Sequence, residues 1–167
     1  MFYDGDCAFT AIREKLARYP DDVRKKKLAG YLLLMAQSGG YNYPRILSHG
    51  EPGAAALSLH EYVIAAMHAA FLLNRRYCPF YKWSFRALRE LPLLPALADD
   101  LTFLLTGGDA EKKQAVIAET DAVILAETQK QGFSAETGDD PEKHAYAVNA
   151  SIADADLRSR HILYAVT

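Results

Sequence analysis

The stretch FLLNRRYCPFYKWSFRALRELP, residues 71–92, carries five basic side chains and the only tryptophan of the chain, Trp83. Pro79 has no backbone N–H and suits the first turn of a helix, so a break is predicted near Tyr77, followed by a new helix. Pro92 limits that second helix. We interpret the stretch as helix, break and helix, with the rest of the chain as its scaffold.

The predicted second helix has two different faces. At about 100° per residue, its basic face holds Lys82, Arg86 and Arg89, and its apolar face holds Tyr81, Phe85 and Leu88. Trp83 lies at the border between them, where its ring can stack on a base or a sugar face. The alternative is a tryptophan that closes the edge of the core, with the basic side chains in solvent.

Composition favours one soluble domain over residues 1–167, since half of the 167 residues are apolar. The net charge of −2 argues against general nucleic-acid coating and leaves nucleic-acid binding uncertain. The charge is nevertheless uneven, with +5 over residues 1–90 and −7 over residues 91–167. This asymmetry favours an anionic ligand at one end or association between copies.

Two cysteines far apart in sequence support neither a disulfide framework nor a metal site, and we expect a reduced, cytoplasmic compartment. Cys78 follows two arginines, which can lower a thiol pKa, but a buried structural thiol is the favoured interpretation. The N-terminal stretch MFYDGDCAFT has no signal-peptide pattern. The longest uncharged apolar run, residues 62–73, is too short to span a bilayer, so no membrane association is predicted.

Apolar periodicity predicts an all-α protein, a single bundle of about six to seven helices, with no strand pattern of matching strength. Besides the helix of residues 79–92, the predicted helices cover residues 7–19, 21–38, 54–77, 95–106, 110–131 and 141–163. The Gly39-Gly40 pair is expected to end the second helix, and Asp109 to cap the sixth.

Two further segments carry candidate binding residues. Residues 24–27 are all basic at the start of the second predicted helix, where cations oppose the helix dipole. A solvated face is the favoured interpretation there, and an anionic partner is the alternative. Residues 39–53 form a predicted turn-rich loop in which Tyr41, Tyr43 and Arg45 cluster. The alternative for that loop is that both tyrosines pack over the end of the bundle.

Searches for catalytic motifs lead to no catalytic residue, metal ligand or cofactor. Gly107-Gly108 followed by Glu119 and Asp121 imitates a polymerase-beta-type nucleotidyltransferase motif. In a helix those two acids point about 200° apart and cannot share a metal ion. A helical RNase would need an arginine and a histidine spaced along one helix, whereas Arg160 and His161 are adjacent.

Three segments, ARYPDDVRKKKLA, MAQSGGYNYPR and FLLNRRYCPFYKWSFRALRELP, resemble the helical module called domain of unknown function 4037. That module is found in bacterial proteins after a nucleotidyltransferase domain, and the resemblance covers most of residues 8–95. It implies an all-α domain similar to the C-terminal substrate-binding domains of small nucleotidyltransferases. Such domains help to bind the acceptor while the catalytic domain, which is absent here, binds nucleotide and metal.

The resemblance implies ligand-binding roles for the aromatic and basic positions, with arginines holding phosphate or carboxylate and aromatic rings stacking. The candidates are Arg75, Arg76, Tyr77, Tyr81, Lys82, Trp83 and Arg86, with Tyr41, Tyr43 and Arg45 as a second wall. The expected ligand is a nucleotide or a small-molecule acceptor. The competing hypothesis is a helical interaction module that forms a homo-oligomer or docks onto a separate nucleotidyltransferase.

Overall fold

A computed structural model describes residues 5–166, and within that range the chain is entirely helical, without a strand. The predicted all-α fold is therefore confirmed. Residues 1–4, which begin the stretch searched for a signal peptide, and residue 167 lie outside the described range.

The chain forms a bundle of seven longer and two short α-helices over the described residues. In order these are α1 (Ala8–Leu16), α2 (Asp21–Met35), α3 (Tyr43–Ser48), α4 (Pro52–Leu73), α5 (Tyr81–Arg89), α6 (Leu97–Thr106), α7 (Ala110–Lys130), α8 (Pro141–Ala150) and α9 (Ala155–Ser159). A π-helical segment, Ala36–Asn42, joins α2 to α3, and a 3₁₀ helix, Ile162–Ala165, follows α9. Asp109 caps α7 as predicted, since its Oδ1 accepts a hydrogen bond from Lys112 N at 3.0 Å.

The central helix is α4, which packs against α2, α6 and α7 and buries most of its side chains. Its many alanines let neighbouring helices approach closely. The whole helix, unlike the shorter run of residues 62–73, is long and apolar enough to cross a membrane by length and composition alone. Most of that stretch is buried inside the bundle, however, which is consistent with the core helix of a soluble protein.

The basic start of α2 is not the solvated face that we predicted, because Lys26 is fully buried and Arg24 is only 2% exposed. The lysines donate hydrogen bonds to oxygen atoms of the C-terminal segments: Lys25 Nζ to Ser151 O (2.8 Å), Lys26 Nζ to Asn149 Oδ1 (2.8 Å) and Arg160 O (2.6 Å), and Lys27 Nζ to Ala165 O (2.6 Å). Carbonyl groups near helix ends lack partners in their own helix, and cations are favourable there. The lysines therefore fasten the C-terminal helices to α2.

The predicted final helix over residues 141–163 is wrong, since α8 ends at Ala150 and α9 begins at Ala155. Asp22 of α2 accepts hydrogen bonds from the backbone N–H groups of Ala153 and Asp154, at 3.2 and 2.8 Å. Asp154 in turn caps α9. These contacts satisfy backbone groups that a continuous helix would have used, so the chain turns back along α2.

The expected helix stop at Gly39-Gly40 is also wrong, because the chain continues there as the π-helical segment and then as α3. Gly39 is buried against the Tyr62 ring, and a Cβ atom at Gly39 would lie 2.3 Å from Tyr62 Cδ2. Ser58 Oγ donates a hydrogen bond to Ser38 O at 2.7 Å. The glycine thus allows α4 to approach the widened turn, and the predicted loop is largely helical.

Candidate functional site

The segment between α4 and α5, residues 74–80, runs past three separate cavities. Arg75 lines one near the start of α2, which we call the basic cavity. Arg76 lines a small cavity of about 70 Å³. Tyr81, the first residue of α5, lines a groove between α4 and α5, which we call the α4–α5 groove. The predicted site residues Arg75, Arg76 and Tyr81 therefore line three different cavities.

Arg75 is the second residue after the end of α4 and has an unusual backbone conformation. Its φ angle is 55°, in the left-handed region where glycine is usual at this position. The Asn74 side chain holds the helix end, because it donates to Leu93 O at 3.0 Å and accepts from Leu93 N at 2.9 Å. With the backbone held in this way, the Arg75 guanidinium reaches Asp21 at the start of α2, with Nη1 3.7 Å from Oδ1.

Tyr77 and Cys78 are anchored against the body of the protein. The Tyr77 ring lies 4.1 Å, centre to centre, from that of Tyr19 in the link between α1 and α2. Burial raises the pKa of the Cys78 thiol to about 11. The thiol is therefore protonated near neutral pH, which agrees with the structural role favoured from the sequence.

The α4–α5 groove has a volume of about 660 Å³ and a mostly apolar wall. Its lining consists of His60, Val63, Ile64, Met67, His68, Cys78, Pro79, Tyr81, Ser84, Phe85 and Leu105. His68 stacks on Tyr31 with ring centres 4.6 Å apart, and burial, together with Lys27, lowers its pKa. The imidazole of His68 and the hydroxyl of Ser84 are thus among the polar groups set between apolar side chains, together with His60 and Tyr81.

The outer side of α5 faces solvent. Trp83 is 58% exposed and Tyr81 75% exposed, whereas Leu88 is buried, so the predicted apolar face holds for Leu88 and not for Tyr81. Only the side of α5 that carries Ser84 and Leu88 packs inward. Arg86 lies 3.5 Å from Glu90 through Nε and Oε1, and both side chains are exposed. Lys82 has no hydrogen bond or ion pair within residues 5–166.

The second wall predicted around Tyr41 lies on another part of the bundle. Arg45 Nη1 donates a hydrogen bond to the Tyr41 hydroxyl, and the two side chains also form a cation–π contact. Tyr43 is 2% exposed and belongs to the core. Among the residues that the structure describes, no hydrogen bond, ion pair or ring contact joins these three to residues 75–86. Tyr43 thus follows the packing alternative, because the loop folds into α3 and turns this side chain inward.

The basic cavity, of about 650 Å³, contains residues that the sequence did not single out as a site. The Arg24 guanidinium lies 4.4 Å from the centre of the Phe133 ring. Its Nη2 is 3.6 Å from Asp21 Oδ1 and its Nη1 3.5 Å from Gln131 Oε1. Phe133 and Gln131 are more than a hundred residues from Arg24, so no local pattern could reveal this arrangement.

The acids of the rejected nucleotidyltransferase motif lie on different faces of α7, as the helical period predicts. Glu119 is exposed, whereas Asp121 is buried and its Oδ1 lies 2.8 Å from the Tyr62 hydroxyl. Burial raises the pKa of Asp121 to about 7. Across residues 5–166 no group of three histidine, cysteine or acidic side chains is placed to hold a metal ion.

The fold and its aromatic and basic link between α4 and α5 define a small all-α domain. A family model, Domain of unknown function (DUF4037), matches residues 1–84, half of the chain, and the chain belongs to this family. The matched part runs from α1 into the first turn of α5 and includes Arg24, Arg75 and Trp83. Comparison with the curated proteins and with the solved structures gives no match.

Proposed function

We propose that the chain is a helical accessory domain that binds a nucleotide or small acceptor for a nucleotidyltransferase, with the ligand in the α4–α5 groove. The observation that carries this proposal is the apolar groove of about 660 Å³ with Tyr81 at its rim. The link to a nucleotidyltransferase is supported by the resemblance of the aromatic and basic segment to domains that accompany such enzymes. The same resemblance supports a bacterial source, and the free thiols Cys7 and Cys78 support a proposed cytoplasmic location.

The groove suits a ligand with a flat or apolar ring. Small-molecule sites are typically concave and mostly apolar, with a few polar groups that fix orientation. The apolar wall would bury the ring, while the hydroxyl of Ser84 and the imidazole of His68 offer hydrogen bonds. Tyr81 stands at the entrance with its ring 4.3 Å from that of Phe80. Lys82, the next residue, provides an exposed positive charge for a phosphate or carboxylate carried by the ligand.

The experiment follows the fluorescence of Trp83 during titration with nucleoside triphosphates, amino sugars and short RNA at low and moderate salt. Trp83 is the only tryptophan and lies one turn of α5 or less from both Tyr81 and Lys82, so it reports on this region. We expect a saturable change with one ligand class, weakened in Tyr81→Ala and Lys82→Ala.

Arg89→Ala is the matched control, because Arg89 pairs with Asp99 at the far end of α5 and lines none of the three cavities. Its titration should follow that of the wild type. If no ligand produces a saturable change, or if Lys82→Ala and Tyr81→Ala both titrate like the wild type, ligand binding in the groove is refuted.

A second function, protein interaction, is favoured by a different observation. Exposed aromatic side chains are concentrated in one short segment, and these are Tyr77, Phe80, Tyr81 and Trp83. Trp83 lines none of the three cavities described above, and clustered exposed aromatic residues are typical of interfaces. The segment would then contact a second copy of the chain or a separate nucleotidyltransferase.

Light scattering after size exclusion separates the two functions. A homodimer, or a complex with a purified nucleotidyltransferase domain, that dissociates in Trp83→Ala supports the interaction function. A monomer that forms no such complex, and whose Trp83 fluorescence responds to a small ligand, supports substrate binding instead.

A further inference from the structure

Arg24 is a buried cation whose hydrogen-bonding capacity is poorly used. Its side chain is 2% exposed, and its Nε has no hydrogen-bond partner. Its terminal nitrogens reach Asp21 and Gln131 only at 3.6 and 3.5 Å, at the long end of such contacts. Burial, with Arg75 nearby, lowers the pKa of Arg24. A buried charge is costly unless it is paired and hydrogen-bonded, so the guanidinium lacks an adequate acceptor.

Two arginines converge on one oxygen atom in this cavity. Nη2 of Arg24 and Nη1 of Arg75 both lie within 4 Å of Asp21 Oδ1, at 3.6 and 3.7 Å. Asp21 itself is exposed, and Arg24 and Arg75 come from different helix ends. The carboxylate oxygen of Asp21 therefore marks a point where both guanidinium groups can meet an oxyanion, and it is free to swing into solvent.

The charge balance of the cavity favours an anion. Its lining carries Arg24, Lys25 and Arg75 against Asp21, and because Lys25 already donates to Ser151 O and lies 3.9 Å from Asp22 Oδ1, the two arginines are the cations left for a ligand. The start of α2 also borders the cavity, and its first residue follows Pro20, which supplies no side-chain cap. Unpaired N–H groups at a helix start favour anions. The side chain of Gln131 has a fixed orientation, because its Nε2 donates to Leu73 O at 2.9 Å. Its Oε1 therefore faces Arg24.

We propose that the basic cavity binds a phosphate group between Arg24 and Arg75, and that Asp21 occupies the position of a phosphate oxygen when no ligand is bound. Guanidinium groups bind phosphate through paired hydrogen bonds, and two of them match its charge. This inference does not depend on the α4–α5 groove, because different residues form the two sites.

The experiment measures binding of inorganic phosphate by calorimetry at constant ionic strength, with acetate and chloride as comparison anions and AMP as a nucleotide phosphate. Arg75→Gly removes one guanidinium and suits a φ of 55°, so it should weaken phosphate binding about tenfold while leaving the melting temperature unchanged or higher. Asp21→Asn removes the competing carboxylate and should strengthen binding about threefold. Arg89→Ala is again the control and should bind like the wild type.

AMP that binds more tightly than inorganic phosphate supports the site and identifies its ligand as a nucleotide, and equal affinities support a site for free phosphate. Unchanged phosphate affinity in Arg75→Gly, weaker binding in Asp21→Asn, or equal binding of phosphate, acetate and chloride would overturn the proposal. None of these results depends on Tyr81 or Lys82, so failure here is distinct from failure of the α4–α5 groove.

Discussion

The two basic stretches of the chain, residues 24–27 and residues 75–86, differ in the surroundings of their lysines. Lys26 is fully buried between two oxygen acceptors, whereas Lys82 is exposed and has no partner within the described residues. Lys26 meets oxygen atoms near helix ends that need hydrogen-bond donors, whereas Lys82 meets solvent. Neighbours in space, rather than residue type, decide the role of a basic side chain here.

Gly39 and Gly40, which follow α2, provide the test with the largest expected change in stability. The same substitution at each should have an effect that depends on its neighbours in space. A Cβ atom at Gly39 would lie 2.3 Å from the buried Tyr62 ring, whereas at Gly40 it would meet nothing within 4 Å. We expect Gly39→Ala to lower the free energy of unfolding by about 3 kcal/mol or more, as overpacking does in a rigid core. Gly40→Ala should change it by no more than about 1 kcal/mol. Urea denaturation of both variants measures the difference, and equal effects would contradict the packing described here.

Lys26 provides the direct test of the two basic stretches. Lys26→Ala leaves Arg160 O and Asn149 Oδ1 without their donor and removes a buried stem, so we expect a loss of about 2–3 kcal/mol in unfolding free energy. Lys82→Ala, the matched exposed variant, should stay within about 0.5 kcal/mol of the wild type. Lys26→Met keeps the stem, so its smaller loss isolates the hydrogen bonds. A loss for Lys26→Ala as small as that for Lys82→Ala would show that Lys26 does not hold the C-terminal helices.

Local patterns predicted the helices well, because helical periodicity depends on residues within a few turns of one another. The cap of α7 by Asp109 and the break before α5 are of this kind. The fate of Lys26 could not be predicted in the same way, since one acceptor lies 134 residues further along the chain. The close contact between Gly39 and the Tyr62 ring likewise could not be predicted, because only the folded chain places the two side by side.

The candidate site shows the same division between features set by local sequence and features set by distant residues. Residues 75–83 surround a helix break rich in basic and aromatic residues, and some of them line cavities, but their predicted role in ligand binding stays a prediction. The sequence could not indicate that Arg75 and Tyr81 face different cavities, which depends on the turn after α4. It offered an anionic partner for residues 24–27 only as the alternative, and it could not reveal the surroundings of Arg24, since Phe133 and Gln131 come from a distant link after α7.

Asp121 extends the comparison to a buried acid that is neutralised by a proton rather than by a cation. Its pKa rises from 3.8 to about 7 in the folded protein because of burial, opposed by the hydrogen bond from Tyr62. Between about pH 4 and pH 7 the folded state therefore holds a proton that the unfolded state has released. Stability from this group is greatest at low pH, falls as the pH rises through that range, and is level above it.

Asp121→Asn removes this dependence while keeping an oxygen for the Tyr62 hydroxyl. At pH 8 we expect the variant to be more stable than the wild type by about 3 kcal/mol, with little difference at pH 4. The difference between the two proteins isolates Asp121 from His68, whose lowered pKa acts in the opposite direction. Thermal unfolding across this pH range measures it, and a constant difference would show that Asp121 is ionised throughout.

Trp83→Ala has the smallest expected effect on stability, and it tests directly whether the exposed stretch contributes to the core. With more than half of its surface in solvent and no cavity around it, the side chain contributes little to the core, so Trp83→Ala should change stability by less than about 0.5 kcal/mol. Acrylamide should quench its fluorescence readily in the free protein. A loss similar to that of Lys26→Ala would instead mean that Trp83 closes the edge of the core. If stability is unchanged while ligand or partner binding falls, the aromatic and basic residues of the exposed stretch serve recognition, in contrast to the lysines at the start of α2, which hold the C-terminal helices.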